Sequence, residues 1–304
     1  MSEFVVNYLG CGSASPSERH RPSCQVVDFR GRLFMIDCGE GAQMEFRKMH
    51  LKFSRLSHVF ISHLHGDHFL GLPGLLSTMS LHEMGGVVTV HAFEEGLDIL
   101  KRIMDVFCRE RSFELRYEPI DRSGGLLLDD KSLTVEAFPL YHRVPTVGFV
   151  FREKAKGRRI NGPMVEYFNV PVSFRPKLRE GYDYVKDDGE VITNSRLTFD
   201  AEAPASYAYC SDTRFDARVA AAVAGVDTLY HESTYLENHR DDAAPRGHST
   251  ACDAGKIASM AGVRRLVLGH YSRRYDDDEA FVREASTMFN GEIVAAREGL
   301  KLSI

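Results

Sequence analysis

Apolar and polar positions fall along this chain in short blocks whose period switches between that of a strand and that of a helix. "EFVVNYLG" (3–10) is an apolar run of strand length leading into the Gly/Ser loop "GCGSASP" (10–16). "SCQVVDFRGRLFMIDCGEG" predicts a hairpin, two β-branched or apolar runs joined at Gly31. "GAQMEFRKMH" has helical spacing and "SHVFIS" reads as a short buried strand. "FLGLPGLLSTMSLH" is helix-like, with Pro73 and Gly74 expected to disturb its start. Strand and helix continue to alternate through "VVTVHAF", "GLDILKRIMDVF", "SFELRYEPI" and "SLTVEAFPLYH". The second half repeats the style from "SYAYCSD" through "VDTLYHEST" and "VRRLVLGHYS" to an expected final strand pair, "EIVAARE" and "LKLSI". Strands with intervening helices in two similar halves predict an α/β protein, a four-layer αβ/βα sandwich of two mixed sheets flanked by helices.

One segment breaks the rhythm. Residues 152–192 lack a long periodic run and hold Gly157, Gly162, Pro163, Pro171 and Pro176. Between Arg152 and Glu180 there are eight Lys/Arg and three acidic residues, in a chain whose formal net charge is −5. The expectation is one domain over 1–304 with 152–192 as an inserted basic arm. That arm is either a solvated excursion or a surface for phosphates, with Tyr167, Phe168 and Phe174 available for stacking or docking.

Composition narrows the class. At 304 residues, 43% hydrophobic and 27% charged, the chain is that of a folded globular protein. No apolar run reaches the roughly 20 residues of a membrane span, and the N-terminus does not read as a signal peptide. The six cysteines are scattered without a CxxC pair, so reduced buried thiols and a cytoplasmic protein are expected. The acidic balance argues against a simple nucleic-acid binder.

The chemistry is concentrated in "ISHLHGDHFLGLPG" (61–74), where His63, His65, Asp67 and His68 crowd together after an apolar strand. Buried without partners, such a cluster costs a few kcal/mol per group, and metal ions are the natural partners. Imidazole nitrogen and carboxylate oxygen are ligands that zinc prefers. In an extended loop His63 and His65 point the same way and can share one ion, leaving Asp67 and His68 for a second. Two ions about 3.5–4 Å apart need further ligands and a bridging carboxylate. His142 in "PLYHRVP", Asp212 in "YCSDT" and His270 in "LVLGHYS" each follow an apolar strand and precede a polar loop, the place where functional residues collect. His20, His58, His82, His91 and His239 lack that context and read as surface or packing residues. The loop 10–16 is either a plain turn or a donor of backbone N–H groups to a phosphate.

The ordered set "IDCGEG", "SHLHGDH", "PLYH", "YCSDT", "YHEST", "GHST" and "LGHYS" resembles the metallo-β-lactamase fold and within it the ribonuclease Z family, a similarity spanning almost the whole chain from Gly10 to His270. That resemblance implies a zinc endoribonuclease that removes the 3′ trailer of precursor tRNA. It implies His63, His65 and His142 on one zinc, Asp67, His68 and His270 on the other, and Asp212 bridging. Asp37 resembles the family's early aspartate. Asp67 would orient the attacking water or accept its proton. His248, oriented by Glu232, resembles the family pair that protonates the departing 3′ oxygen. A homodimer whose arm serves the partner's active site is also implied. The loop "SERHRPS" departs from the family pattern, placing Arg19, His20 and Arg21 where relatives carry a lysine and an Arg-Asn pair. The arm departs too, with a single Gly-Pro at 162–163. The alternative reading is a small-molecule phosphodiester or other ester hydrolase of the same fold.

Overall fold

The structure, a computed structural model, describes residues 4–304. In chain order the strands are β1 (Phe4–Gly10), β2 (Cys24–Phe29), β3 (Arg32–Ile36), β4 (Leu56–Phe60), β5 (Val87–Ala92), β6 (Glu114–Pro119), β7 (Gly125–Asp129), β8 (Leu133–Leu140) and β9 (Thr146–Glu153). Four short strands follow: β10 (Arg159–Ile160), β11 (Tyr184–Val185), β12 (Val191–Ile192) and β13 (Thr198–Phe199). The last are β14 (Ser206–Cys210), β15 (Thr228–Glu232), β16 (Arg265–Gly269), β17 (Glu292–Ala295) and β18 (Lys301–Ser303).

These build two seven-stranded sheets, ordered β18-β1-β2-β3-β4-β5-β6 and β17-β16-β15-β14-β9-β8-β7. Both are mixed: β1, β2 and β3 pair antiparallel while β3 to β6 run parallel, and β14 to β17 run parallel while β7 and β8 are antiparallel. The expected α/β sandwich is therefore present. Parallel strands buried on both faces explain why "SHVFI" and "RLVLG" read as continuous apolar runs.

The β2–β3 hairpin forms as expected. Arg30 and Gly31 have φ of 53° and 79°, the left-handed pair that a two-residue hairpin matching strand twist requires. Two expectations need correction. Pro73 does not disturb its helix but starts it: the helix Leu72–Leu81 carries proline in its first turn, where no N–H is needed. The final strands do not pair with each other, because β17 extends the second sheet beside β16 and β18 closes the first beside β1.

The chain divides into two compact units. The larger takes in the chain up to Asp129, Thr134–Phe151 and Ala205–Ile304. Its sheets meet through aromatic rings: Phe60 on β4 lies 5.5 and 5.6 Å from Phe149 and Phe151 on β9, and stacks on His91 at 4.6 Å. His58 and His91 share a ring-nitrogen contact of 3.0 Å in this apolar setting. Burial, and then His58, push His91 down to about 3, so His91 is neutral, and both rings pack among aromatics as expected.

The smaller unit comprises Asp130–Leu133 and Arg152–Pro204, longer than the expected insertion 152–192. It pairs β10 with β13 and β11 with β12, and has its own core of Val165, Phe168, Val170, Leu178, Ile192 and Leu197. Phe168 is buried there, with the Arg196 guanidinium 4.5 Å above its ring, and Phe174 packs on Tyr184. Of the three aromatics considered for docking, only Tyr167 is largely exposed, at 75%. We expect Leu178→Ala to cost this unit about 2–5 kcal/mol. Hydrogen exchange checks this: amides of 159–199 should lose protection while those of β14–β16 keep it.

Candidate metal centre

Each expected ligand sits where a strand ends. The loop after β4 carries His63 and His65, and the short helix Gly66–Phe69 carries Asp67 and His68. His142 follows β8, Asp212 follows β14 and His270 follows β16, so the C-terminal ends of strands from both sheets converge. The backbone is shaped for this. Asp37 and His270 are non-glycine residues at φ of 55° and 61°, a conformation costing of order 1–3 kcal/mol and typical of functional sites. Gly39 and Gly71 let two loops touch: a Cβ on Gly71 would lie 2.1 Å from the Gly39 carbonyl oxygen.

The side chains form two trios around one carboxylate. His65 Nδ1 lies 3.1 Å from His63 Nε2 and 3.3 Å from His142 Nε2. Asp212 Oδ2 faces this trio, 3.6 Å from His63 Nε2 and 3.8 Å from His142 Nε2. In the second trio His68 Nε2 and His270 Nε2 are 3.3 Å apart, and each is 3.5 Å from Asp67 Oδ2. Asp212 Oδ1 faces them, at 3.5 and 3.2 Å. That oxygen is buried and has no hydrogen-bond partner. A buried carboxylate oxygen aimed into a ring of imidazole nitrogens is costly unless a cation satisfies it. A tetrahedral ion with ligand bonds of ~2.1 Å has edges of ~3.4 Å, which these separations match. The donor set fits two metal ions.

A surrounding layer holds the rings by their other nitrogens. His68 Nδ1 donates to Asp37 Oδ2 at 2.7 Å, His142 Nδ1 to the Gly247 carbonyl at 2.7 Å, and His270 Nδ1 to Thr234 Oγ1 at 2.8 Å. His63 Nδ1 meets Ser62 Oγ at 3.0 Å, and that hydroxyl donates to Asp37. These partners turn Nε2 of His63, His68, His142 and His270 inward, while His65 presents Nδ1. Burial lowers the pKa of His63, His65 and His142, favouring the neutral ring that binds metal. His68 goes the other way: burial opposes its charging, but Asp212, Asp37 and Asp67 outweigh it and raise its pKa well above the ordinary value. Asp67 is itself partly desolvated, yet the His68 and His270 imidazoles hold its carboxyl far below the usual range.

Beside the trios, Glu232 is fully buried and accepts from Thr213 N, Ser249 N, Thr234 N and Thr234 Oγ1 as well as from His248 Nδ1 at 2.9 Å. Burial opposes ionisation of both partners, yet their mutual attraction holds Glu232 down at about 2 and lifts His248 to about 9. His248 lines a cleft of about 550 Å³ together with His65, Asp67, Asp212 and His270. All nine residues expected for metal binding or catalysis thus converge on one place.

Sequence reading missed the cationic rim of that cleft, Arg143, Arg246, Arg273 and Arg274. Two of these directly follow His142 and "LGHYS", a signal that was available. The loop 10–16 proves to be a support. Its N–H groups are spent on Arg21 O, Tyr271 O, Ser13 O and, from Ala14, on Asp67 Oδ2 at 2.7 Å, which leaves none of Gly12 to Ser15 for a phosphate. Arg19, His20 and Arg21 are likewise engaged inside the protein, with Asp278, with Asp278 and Glu298, and with Glu45.

Comparison with known proteins places this geometry. The chain is 46% identical over its whole length to all of the ribonuclease Z of Parabacteroides distasonis. The chain belongs to the ribonuclease Z family. The human tRNase Z, short form, superposes with a TM-score of 0.69 at 26% identity, covering 99% of each chain. The Bacillus subtilis metallo-β-lactamase fold protein YhfI matches in fold, with a TM-score of 0.68 at 16% identity and 98% of each chain covered. Residues 4–93 also match the family described as Anti-Pycsar protein Apyc1, a span that holds His63, His65, Asp67 and His68 but not His142, Asp212 or His270.

Two outcomes follow for the metal centre. Asp37→Asn should weaken metal binding by about 10- to 100-fold while the protein stays folded, read by competition with a chromophoric chelator. Metal uptake must displace the proton that the carboxylates hold on His68, so affinity should climb as pH rises above 6.5. Calorimetry in buffers of different ionisation enthalpy would count that proton.

Proposed function

We propose that the enzyme removes the 3′ trailer of precursor tRNA at a two-zinc centre. His63, His65 and His142 would hold one zinc, Asp67, His68 and His270 the other, with Asp212 between them. The observation that carries this reading is Asp212, whose two oxygens each face a different ligand trio. Two ions there would supply Lewis acidity to the phosphate and bring water toward ionisation near neutral pH.

The chain's own residues account for the rest. Asp67, kept as the carboxylate and steadied by the Ala14 N–H, orients the attacking water, whose proton passes to bulk water. The water oxygen bonds to phosphorus and the bond from phosphorus to the 3′ oxygen breaks. His248, with Nδ1 occupied by Glu232, delivers a proton from Nε2 to the departing 3′ oxygen. The products are a tRNA 3′-hydroxyl and a trailer with a 5′-phosphate. Exposed Arg159, Lys177 and Arg179 in the smaller unit support a tRNA-binding arm within 152–192. A homodimer whose arm serves its partner and a cytoplasmic location complete the proposal; among the described residues no helix is long and apolar enough to cross a membrane.

Cleavage of a precursor tRNA with a short trailer tests the function. Wild type should cut once after the discriminator base, and Asp212→Ala should not. A zinc-loaded, folded wild type that spares tRNA yet hydrolyses bis(p-nitrophenyl) phosphate would establish the small-ester hydrolase instead. Reversing the charges of Arg159, Lys177 and Arg179 should lower kcat/KM for tRNA far more than for that ester, and flatten the salt dependence.

The proton donor predicts a pH profile. The His248 pKa is raised to about 9, so the imidazolium is present at neutral pH and is lost as pH rises through that value. The alkaline limb of kcat should lie at or below pH 9, because bound cations disfavour the imidazolium. His248→Ala should abolish that limb and slow tRNA cleavage roughly 100- to 10,000-fold. Esters with a p-nitrophenolate leaving group, which needs no proton, should lose much less.

A further inference from the structure

A second concavity adjoins the cleft. It has a volume of about 450 Å³, and its walls include Tyr141, Arg143, Pro145, Arg214 and Pro245. Arg143 lines both spaces, so they adjoin at its side chain. Arg143 and Arg214 are exposed, and among the described residues neither guanidinium makes an ion pair or side-chain hydrogen bond. The contrast with nearby cations is plain: Arg218 is paired with Asp216 and lies 4.0 Å above the Tyr141 ring, while Arg246 and Arg274 both engage Asp242.

We infer that this second pocket is a subsite for the first nucleotides of the 3′ trailer, single-stranded RNA held by its phosphates on Arg143 and Arg214 and by base contact with Tyr141. The inference rests on the tRNA-processing reading above. Its direction comes from the proton donor. The scissile phosphorus carries two ester oxygens, and the one that leaves belongs to the tRNA body. His248 must face that oxygen, and His248 lines the first cleft but not the second. The tRNA end therefore occupies the first cleft. The remaining ester oxygen, which carries the trailer, is directed toward Arg143, the residue shared with the pocket that holds Arg214 and Tyr141. Two unpaired guanidiniums spaced along that exit suit successive backbone phosphates. The Tyr141 ring shares this pocket with Pro145 and Pro245 and, with Arg218 over one face, offers its remaining surface as a sequence-tolerant contact for a base, as a cutter of varied trailers requires. No new bond is made there, so the subsite acts on binding alone.

The test compares precursors carrying a one-nucleotide and a long trailer, cut by wild type, Arg214→Ala, Arg214→Lys and Tyr141→Ala. Arg214 is exposed, so its removal spares the fold. The subsite predicts that the ratio of kcat/KM for the long over the short trailer falls about tenfold in Arg214→Ala and Tyr141→Ala, and that lysine partly restores it. The salt dependence of long-trailer KM should also flatten, by about 0.7 in log–log slope for one lost phosphate contact. Anisotropy of a labelled, 5′-phosphorylated RNA oligonucleotide should show the same loss of affinity without turnover. Equal effects on both trailers, or no effect on either, would overturn the subsite while leaving tRNA cleavage intact. Failure of wild type to cut any precursor tRNA would instead overturn the underlying reading, and the subsite with it.

Discussion

The carboxylate of Asp37 is the contact on which the centre hangs. It is fully buried, and its oxygens accept from Ser62 N at 2.7 Å, Ser62 Oγ at 2.8 Å, His68 Nδ1 at 2.7 Å and Tyr209 Oη at 2.7 Å. Those donors come from the loop after β4, the helix bearing Asp67 and His68, and β14 of the other sheet. An isolated buried charge would be costly, but four donors including an imidazole satisfy it. Removing any one leaves a charge without its full shell, so the sheets and the metal loop are held in a single register. The unusual φ of Asp37 is the conformational cost of reaching three elements at once.

From that anchor the electrostatics follow. The site gathers Asp67, Asp212, Glu232 and Asp37 within a few ångströms of each other's partners, and only cations or protons make such a cluster stable. Two solutions appear side by side. Around Asp212 the imidazoles are neutral or share carboxylates, an arrangement for metal. Around Glu232 a proton resides on His248, an arrangement for an acid. The separation arises from hydrogen bonding: Glu232 is saturated by backbone N–H groups and Thr234, while Asp212 Oδ1 is left without a donor.

Much of this was legible in the chain itself. The spacing His63-x-His65-x-Asp67-His68 carries its own geometry, and His142, Asp212 and His270 could be found because each breaks an apolar strand with a polar residue. The supporting layer could not be read so. The Gly247 carbonyl and the Ala14 N–H are backbone atoms, and backbone atoms have no signature by residue type. The same limit applies to β17 and β18, since apolar alternation says that a strand exists but not which sheet receives it. Phe168 and Phe174 were ambiguous for a different reason: a small unit with its own core and a docking surface both place aromatics among basic residues. Arg143 and Arg214 became visible as a pair only once folding brought the loops after β8 and β14 together.

The central claim is that Asp212 bridges two ions. Anomalous diffraction or X-ray absorption on the zinc-loaded protein measures it directly. The account predicts two zinc ions per chain, about 3.5–4 Å apart, with one oxygen of Asp212 on each. A single ion at full loading, or two ions with Asp212 bound to only one of them, would contradict it.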